Sequence, residues 1–260
     1  MIELLLSAWS LCALLMFVLW LLQVKTKNAS WVDIGWTFGL LICCWFYARS
    51  TNPWLPRNIL ILTLVTLWAA RLGGLLITRL IKDKKEDSRY VKIRADWKTS
   101  QNLKFFFFFQ FQALLDVVLS WGFLLICLNP AKEFSMVEYL GMMIWVTGFI
   151  GESLADQQLK TFKADLANKD KTCQLGLWNY SRHPNYFFEW LMWVAYFVMA
   201  LPVAPYGWTA CILPILMYYF LIHVSGVPLA EAQSLKTRGE EYQRYQQTTS
   251  MFVPWFRKSL

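Results

Sequence analysis

Charge is scarce in this sequence: Asp, Glu, Lys and Arg together make up 16% of its 260 residues. Soluble domains carry roughly 25% charged and roughly 45–50% apolar residues, whereas this chain is 57% hydrophobic. The deficit excludes an ordinary soluble domain and predicts an integral membrane protein. Because no linker, repeat or second domain is visible, we expect residues 1–260 to form a single membrane domain.

Residues that bind metals are also few. Six cysteines show no Cys-x-x-Cys spacing and lie mostly inside apolar runs, so we expect neither disulfide bonds nor a zinc site. The two histidines, His183 and His223, are too few for a histidine-rich metal site, although a mixed site of His183 with nearby carboxylates stays open. We therefore expect no metal cofactor.

The first apolar run has no basic residue ahead of it and no small-residue cleavage site, so we expect it to be retained rather than removed as a signal peptide. Seven apolar runs of about 20 residues are each long enough for the roughly 30 Å hydrocarbon layer. The predicted fold is thus all-α, a polytopic membrane bundle of seven transmembrane helices. The runs are 2–24, 31–48, 59–80, 105–128, 137–159, 186–203 and 208–224.

Lysine and arginine are spread unevenly over the connections between these runs, and this bias sets the orientation. They concentrate in the first connection and in segments 81–104, 160–184 and 225–260. We expect these segments and the C-terminus to be cytoplasmic and the N-terminus to lie outside, in a bacterial inner membrane or, for a eukaryotic chain, in the endoplasmic reticulum. Topology, anionic lipid and a phosphorylated cofactor explain the net charge of +8 without nucleic acid.

One segment, 176–189, concentrates reactive side chains directly ahead of an apolar run. Pro184 fits the first turn of a helix, where its missing N–H costs nothing. The start of that helix carries a partial positive charge and free N–H groups, which suit a phosphate or carboxylate ligand. A cation, an imidazole, an amide, a phenol and a carboxylate lie within eight residues: Arg182, His183, Asn185, Tyr186 and Glu189.

Two ionisable residues lie inside other predicted spans. Asp33, with Trp36 beside it, comes three residues into its run, and an intramembrane carboxylate indicates function. The alternative is an acid that interacts with the positive end of its helix. Arg71 lies at mid-depth, so we expect it to face a polar cavity or to pair with a carboxylate such as Asp33, Asp116 or Glu152.

The fifth predicted span changes character towards its cytoplasmic end. Glu152, Asp156, Lys160 and Lys163 follow one another at four- and three-residue spacing, which places them on one helix face. They either stabilise the helix as ion pairs or bind a ligand, and acids at a bilayer boundary favour the ligand site.

Two further segments are polar. The loop 82–90, with Arg89 and Tyr90, is typical of a solvated face, with a cytoplasmic lid as the alternative. The tail from 229 is amphipathic and lies either along the membrane or folded under the bundle, and residues 252–256 form an aromatic patch for the interface. The tail contributes Glu231, Arg238, Tyr242 and Tyr245.

These motifs together resemble the membrane-bound steroid 5-alpha-reductase family, in particular its bacterial branch of unassigned substrate. The similarity covers 145–256. It is carried by Gly-Glu-Ser-Leu-Ala-Asp at 151–156, by Leu-Gly-Leu-Trp-Asn-Tyr-Ser-Arg-His-Pro-Asn-Tyr at 175–186, by Glu189-Trp190, and by Tyr242, Tyr245 and Pro254. Sterol reductases have a similar Arg-His-Pro-Asn-Tyr.

The resemblance implies a seven-helix reductase that holds NADPH in a cytoplasm-facing cavity of the C-terminal helices, with 131–260 as the cofactor half and 1–130 as the substrate half. It implies that Asn185 contacts the nicotinamide, that Asp156 and Lys163 occupy cofactor-contacting positions, and that Tyr245 matches the tail tyrosine. The full predicted cofactor set is Glu152, Asp156, Lys160, Lys163, Arg182, Asn185, Glu231, Arg238, Tyr242 and Tyr245.

The implied reaction is reduction of an activated carbon–carbon double bond in a lipid or steroid-like substrate. Hydride passes from NADPH to the beta carbon, and Asp33 or a tyrosine supplies the proton. We expect Asp33, Trp36 and Arg71 to contact the substrate, membrane lipids to surround a monomer, and the catalytic residues to be Asp33, His183, Tyr186 and Glu189.

The chain departs from the family in two places. Vertebrate steroid reductases carry a Gln-Glu pair in the second helix, where this chain has Asp33, and Phe188 stands where relatives often have glycine. The alternative enzyme is an S-adenosylmethionine-dependent membrane methyltransferase of the isoprenylcysteine type, which shares Arg-His-Pro-x-Tyr, but Asn185 argues against it. A third alternative is a lipid-binding or transport protein.

Overall fold

The computed structural model describes residues 1–51, 54–83 and 85–258, with the backbone alone at residue 83. Within these ranges the chain is helical and contains no strand. Its α-helices are α1 (Ile2–Thr26), α2 (Trp31–Ser50), α3 (Leu55–Asp83), α4 (Ser88–Asp96), α5 (Gln101–Leu119), α6 (Trp121–Leu128), α7 (Met136–Ala164), α8 (Pro184–Ala200), α9 (Ile212–Tyr219), α10 (Val227–Arg238) and α11 (Glu240–Thr248).

Shorter helical segments complete the described chain. Three are 3-10 helices, at Leu166–Asn168, Gly176–Asn179 and Gly207–Cys211, and a π-helix at Phe220–Val224 extends α9. All seven apolar runs are helical, although the fourth is interrupted at Ser120, between α5 and α6. The all-α prediction is confirmed.

Five helical segments are long and apolar enough to cross a membrane: Ile2–Thr26, Trp31–Ser50, Leu55–Lys82, Gln101–Leu128 and Gly207–Thr248. The last of these includes the polar tail helices. By contrast, α8 has 17 residues, and the second half of α7 carries the predicted charged stripe. The seven-span count and the orientation therefore stay predictions.

Local signals in the sequence place several helix ends. Ser135 and Glu138 form a reciprocal capping box at the start of α7, which satisfies two otherwise unpaired N–H groups. Pro184 occupies the first turn of α8, as predicted. Gly239 has φ +53° and separates α10 from α11, a conformation that favours glycine.

The chain divides into two compact units. Unit 1 comprises 1–134 and 202–210, and unit 2 comprises 135–201 and 211–260. In unit 1, α2 packs against α1, α3, α5 and α6. A Cβ on Gly39 would lie 2.1 Å from Oδ2 of Asp116, so only glycine permits this approach of α2 to α5.

Unit 2 is built on the antiparallel pair α7 and α8. Three glycines of α7 face α8 so closely that a Cβ would meet a side chain of α8 at 2.4–2.7 Å. Gly141 faces Met199, Gly148 faces Met192, and Gly151 faces the ring of Phe188. Small residues at a helix–helix contact allow the two backbones to approach closely, and this packing aligns the polar end of α7 with the start of α8.

Candidate functional site

The start of α8 is held by backbone contacts with the C-terminal tail. The N–H of Arg182 donates to the carbonyl of Ser250 at 2.8 Å, and the hydroxyl of Ser181 donates to the carbonyl of Phe252 at 2.8 Å. The buried hydroxyl of Tyr245 donates to the carbonyls of Trp178 and Ser181. With these contacts the tail folds back against the start of α8, which is the second of the two arrangements predicted for it.

Asn185 lies in the first turn of α8 and faces the charged end of α7. Its Nδ2 donates to Oδ1 of Asp156 at 3.4 Å. Its Oδ1 is buried and has no hydrogen-bond partner within the described chain. An unsatisfied buried carbonyl costs about 1–3 kcal/mol, so this oxygen is an acceptor suited to a ligand N–H group.

Arg182 is engaged by the tail. Its Nε donates to Oε1 of Glu231 at 2.7 Å, and its Nη1 donates to the carbonyls of Gln246 and Thr249 at 2.9 and 2.7 Å. Gln246 also donates to Oε2 of Glu231 at 2.8 Å. Two predicted cofactor residues, Arg182 and Glu231, thus join α8 to α10 and α11.

His183 is buried between the tail and α8. Its Nε2 lies 3.3 Å from Oε1 of Glu231, and its ring stacks on Tyr186 with centroids 5.5 Å apart. Its backbone N–H donates to the hydroxyl of Ser181 at 3.1 Å. Among the described residues, no group of His, Cys, Asp and Glu has the arrangement of a metal site.

The remaining predicted cofactor residues differ in exposure. Lys160 and Lys163 are exposed on α7, whereas Glu152 is buried. Arg238 donates from Nη1 to the hydroxyl of Ser234 at 3.1 Å, and its buried Nε meets no acceptor in the part of the chain that the structure describes. Tyr242 is buried with its ring against Tyr245.

The inner turns of α8 bury Glu189, whose Oε1 accepts a hydrogen bond from Nε1 of Trp193 at 2.9 Å. Phe188 lies one turn after Asn185, and its ring occupies the notch that Gly151 leaves on α7. The absence of a side chain on α7 therefore accommodates the extra bulk of Phe188 relative to glycine.

Unit 1 holds the predicted substrate residues. Asp33 accepts hydrogen bonds on both carboxylate oxygens, from Nη2 of Arg89 at 2.7 Å and from the hydroxyl of Tyr90 at 2.6 Å. Trp36 makes an edge contact with Trp68 of α3. Arg71 is half-buried in the middle of α3.

The sequence suggests that Arg89 and Tyr90 belong to a solvated loop, whereas in the structure both bind Asp33. Burial raises the pKa of Asp87, but the hydrogen bonds and charge of Arg89 outweigh burial and hold that pKa below its usual range. Burial and the negative charge of Asp33 raise the pKa of Tyr90 well above its usual value, so its hydroxyl keeps its proton. The N-cap pattern Asp-Ser-Arg at 87–89 is the one local signal that places these residues on a helix.

Comparisons with known proteins give a family and one distant relative. A family model described as "Protein of unknown function (DUF1295)" matches residues 19–249. The chain is 29% identical over 215 residues to "Uncharacterized protein C594.04c" of Schizosaccharomyces pombe, a match that covers 70% of this chain and 60% of that protein. The chain thus spans less than two thirds of that relative's length. No solved structure matches this chain.

Proposed function

Since this chain belongs to the DUF1295 family, described as proteins of unknown function, we propose its activity from its own residues. The protein is a multi-pass membrane reductase, similar to steroid 5-alpha-reductases, that uses NADPH to reduce a carbon–carbon double bond in a lipid or steroid-like enone. In this proposal α7 and α8 complete seven spans, and the start of α8 faces the cytoplasm.

The observation that carries the proposal is the buried, unpartnered Oδ1 of Asn185 beside Asp156. The carboxamide of nicotinamide has both donor and acceptor atoms, so an amide side chain with an available acceptor is a fitting partner. Asp156 fixes the other end of the Asn185 amide, which leaves Oδ1 to accept from the ligand.

The cations around this end of unit 2 favour a phosphorylated cofactor. Lys160 and Lys163 project from α7 into solvent, and Nε of Arg238 is buried without an acceptor among the described residues. The N-terminus of α8 adds a partial positive charge. Arg182 is already engaged by Glu231 and two carbonyls, so we assign it to the tail contact and the phosphates to the other cations.

Bound NADPH supplies a hydride, and the protein must supply a proton to complete the addition across the double bond. In the proposed substrate half, Asp33 accepts hydrogen bonds on both oxygens and Tyr90 carries the proton between them. Asp33 and Tyr90 are therefore the acid–tyrosine pair from which we expect the proton to come.

The test is a titration of NADPH into the detergent-purified protein, read by energy transfer from its 15 tryptophans to the reduced nicotinamide. Wild type should bind NADPH, and Asn185→Asp should lose roughly tenfold or more in affinity, because the new carboxylate loses the hydrogen bond that fixes the side chain on Asp156 and is repelled by that acid. Asn179→Asp, a change of the same chemistry in the 3-10 helix at Gly176–Asn179, is the matched control.

The same protein is titrated with S-adenosylmethionine in parallel. Binding of S-adenosylmethionine without any binding of NADPH would replace the reductase proposal with the methyltransferase. Size-exclusion chromatography checks that both proteins are folded. Equal NADPH affinity in wild type and in folded Asn185→Asp would remove Asn185 from the nicotinamide site.

A further inference from the structure

Unit 1 contains a cavity with Asp33, the proposed acid of the reductase, on its wall. It lies between the start of α2, the last turns of α3 and the loop before α4, and its volume is about 350 Å³, within the usual range for ligand pockets. We call it the α2–α3 cavity. Its walls include Ser30, Asp33, Leu76, Arg79, Leu80 and Lys85.

The acids on its wall already have partners. Asp33 and Asp87 both bind Arg89, at 2.7 and 2.9 Å. Glu86 binds Arg94 at 2.7 Å and also accepts from the N–H of Ala29 at 2.7 Å. The two arginines therefore balance two of the three acids, and Arg79 and Lys85 bring the net charge of the wall and its ion-pair partners to +1.

The two cations on the wall are held less closely, although the charge of Arg79 helps to lower the pKa of Asp87. Arg79 and Lys85 are exposed, and neither forms an ion pair with an acid that the structure describes. The hydroxyl of Ser30 accepts from the N–H of Asp87 at 2.9 Å, which leaves its own proton to donate. Two cations and one hydroxyl thus offer donors to an anion.

The position and the apolar wall decide what kind of anion fits. The cavity lies where α2 begins and α3 ends, and both are candidate membrane spans, so it stands at the level of lipid headgroups. Leu76 and Leu80 line it, and Ile77 and Ile81 continue as exposed apolar side chains on the same end of α3. An acyl chain beside α3 would carry its headgroup into the cavity.

We propose that the α2–α3 cavity binds the phosphate headgroup of an anionic membrane lipid, with Arg79, Lys85 and the Ser30 hydroxyl as donors. Basic pockets between transmembrane helices are suited to such headgroups, and each cation near the surface contributes roughly a fivefold gain in affinity. The cavity shares Asp33 with the proposed reductase, but the lipid proposal rests on Arg79, Lys85 and Ser30 and its test measures lipid binding alone, so the two proposals can fail separately.

The test uses the full chain in zwitterionic detergent, with short-chain phosphatidylglycerol, short-chain phosphatidylcholine and inorganic phosphate as separate probes. Binding is measured by native mass spectrometry and by the shift in Tm. Phosphatidylglycerol should bind and raise Tm, whereas phosphatidylcholine and inorganic phosphate should not. The double variant Arg79→Gln and Lys85→Gln should weaken phosphatidylglycerol binding by roughly 20-fold.

The control removes two exposed cations outside the cavity, Lys92→Gln and Lys98→Gln, and should keep wild-type affinity. Equal losses in the two double variants would overturn the proposal, since diffuse surface charge would then explain binding. An equal shift with inorganic phosphate would overturn the assignment to a lipid, and no binding of phosphatidylglycerol would overturn the site itself. Circular dichroism confirms that each variant is folded.

Discussion

The two units each contain an arginine bound to a distant carboxylate, and the two arginines are used differently. The side chain of Arg182 in unit 2 takes the partners described above from the tail, 49 to 67 residues further along the chain. Arg89 of unit 1 binds Asp87, two residues away, and Asp33, 56 residues away. Arg182 therefore joins separate segments, whereas Arg89 is partly held by its own helix start.

This difference matters for assigning function to cations. An arginine whose donors are bound to main-chain carbonyls stabilises the fold and has little left for a ligand. The cations that we assign to the proposed ligands are Lys160, Lys163 and Arg238 in unit 2 and Arg79 and Lys85 in unit 1.

The largest effect should come from Arg182→Met. Loss of the guanidinium leaves two tail carbonyls without this donor and removes the arginine partner of Glu231, which keeps Gln246 and His183, in a largely buried position. The change should cost about 3 kcal/mol or more of unfolding free energy. Thermal unfolding and protease cleavage within α10 and α11 are the measurements. Adding Glu231→Gln should recover part of the loss, and Arg244→Met, on the exposed face of α11, should change little.

If the tail of Arg182→Met resists protease as well as the tail of wild type does, the conclusion that Arg182 joins separate segments of the chain is wrong. The tail would then be held by Tyr245 and the backbone contacts to Ser250 and Phe252, which this variant keeps.

A smaller effect is expected for Tyr90→Phe. This change removes the hydrogen bond to Oδ1 of Asp33 but leaves the ion pair with Arg89, and a hydrogen bond to a charged group contributes about 1.5–3 kcal/mol. Tyr206→Phe, an exposed position of the same unit, is the matched control. Equal Tm values for wild type and Tyr90→Phe would show that Arg89 alone holds Asp33.

The smallest effect concerns pH. The pKa of Asp87 is lowered in the folded protein, so its stabilising contribution is present above the ordinary carboxyl pKa and is lost as pH falls through the folded pKa. Asp87→Asn keeps an N-cap side chain for α4 but removes the charge.

Wild type should therefore unfold at a higher temperature than Asp87→Asn near neutral pH, and the two should converge as the pH falls through the folded pKa of Asp87. A difference that stays constant across this range would assign the effect to capping rather than to charge.

Several features were predictable because their cause is local. The scarcity of charge and the apolar runs predict helices that belong in a membrane, and Pro184 predicts the start of α8. The four-residue spacing of Asp156 and Lys160 predicts a common helix face. None of these inferences depends on residues distant in the chain.

The partners of the polar residues could not be predicted in the same way. Asp33 is a candidate from its position in an apolar run, but its binding to Arg89 and Tyr90 depends on the path of a loop more than 50 residues later. Arg182 is conspicuous in sequence as a ligand-binding cation, and only the fold places the tail against it. The accommodation of Phe188 by Gly151 likewise depends on the register of α7 against α8.

The sequence by itself determined that this is a helical chain with segments long and apolar enough to cross a membrane, and that its polar residues cluster at the start of α8, because hydrophobicity, proline and helical spacing act over a few neighbouring residues. The tertiary structure alone decided which polar atoms are satisfied and which are left for a ligand. Hydrogen bonds and ion pairs join residues across the chain at about 3 Å, and no periodicity of the sequence encodes that distance.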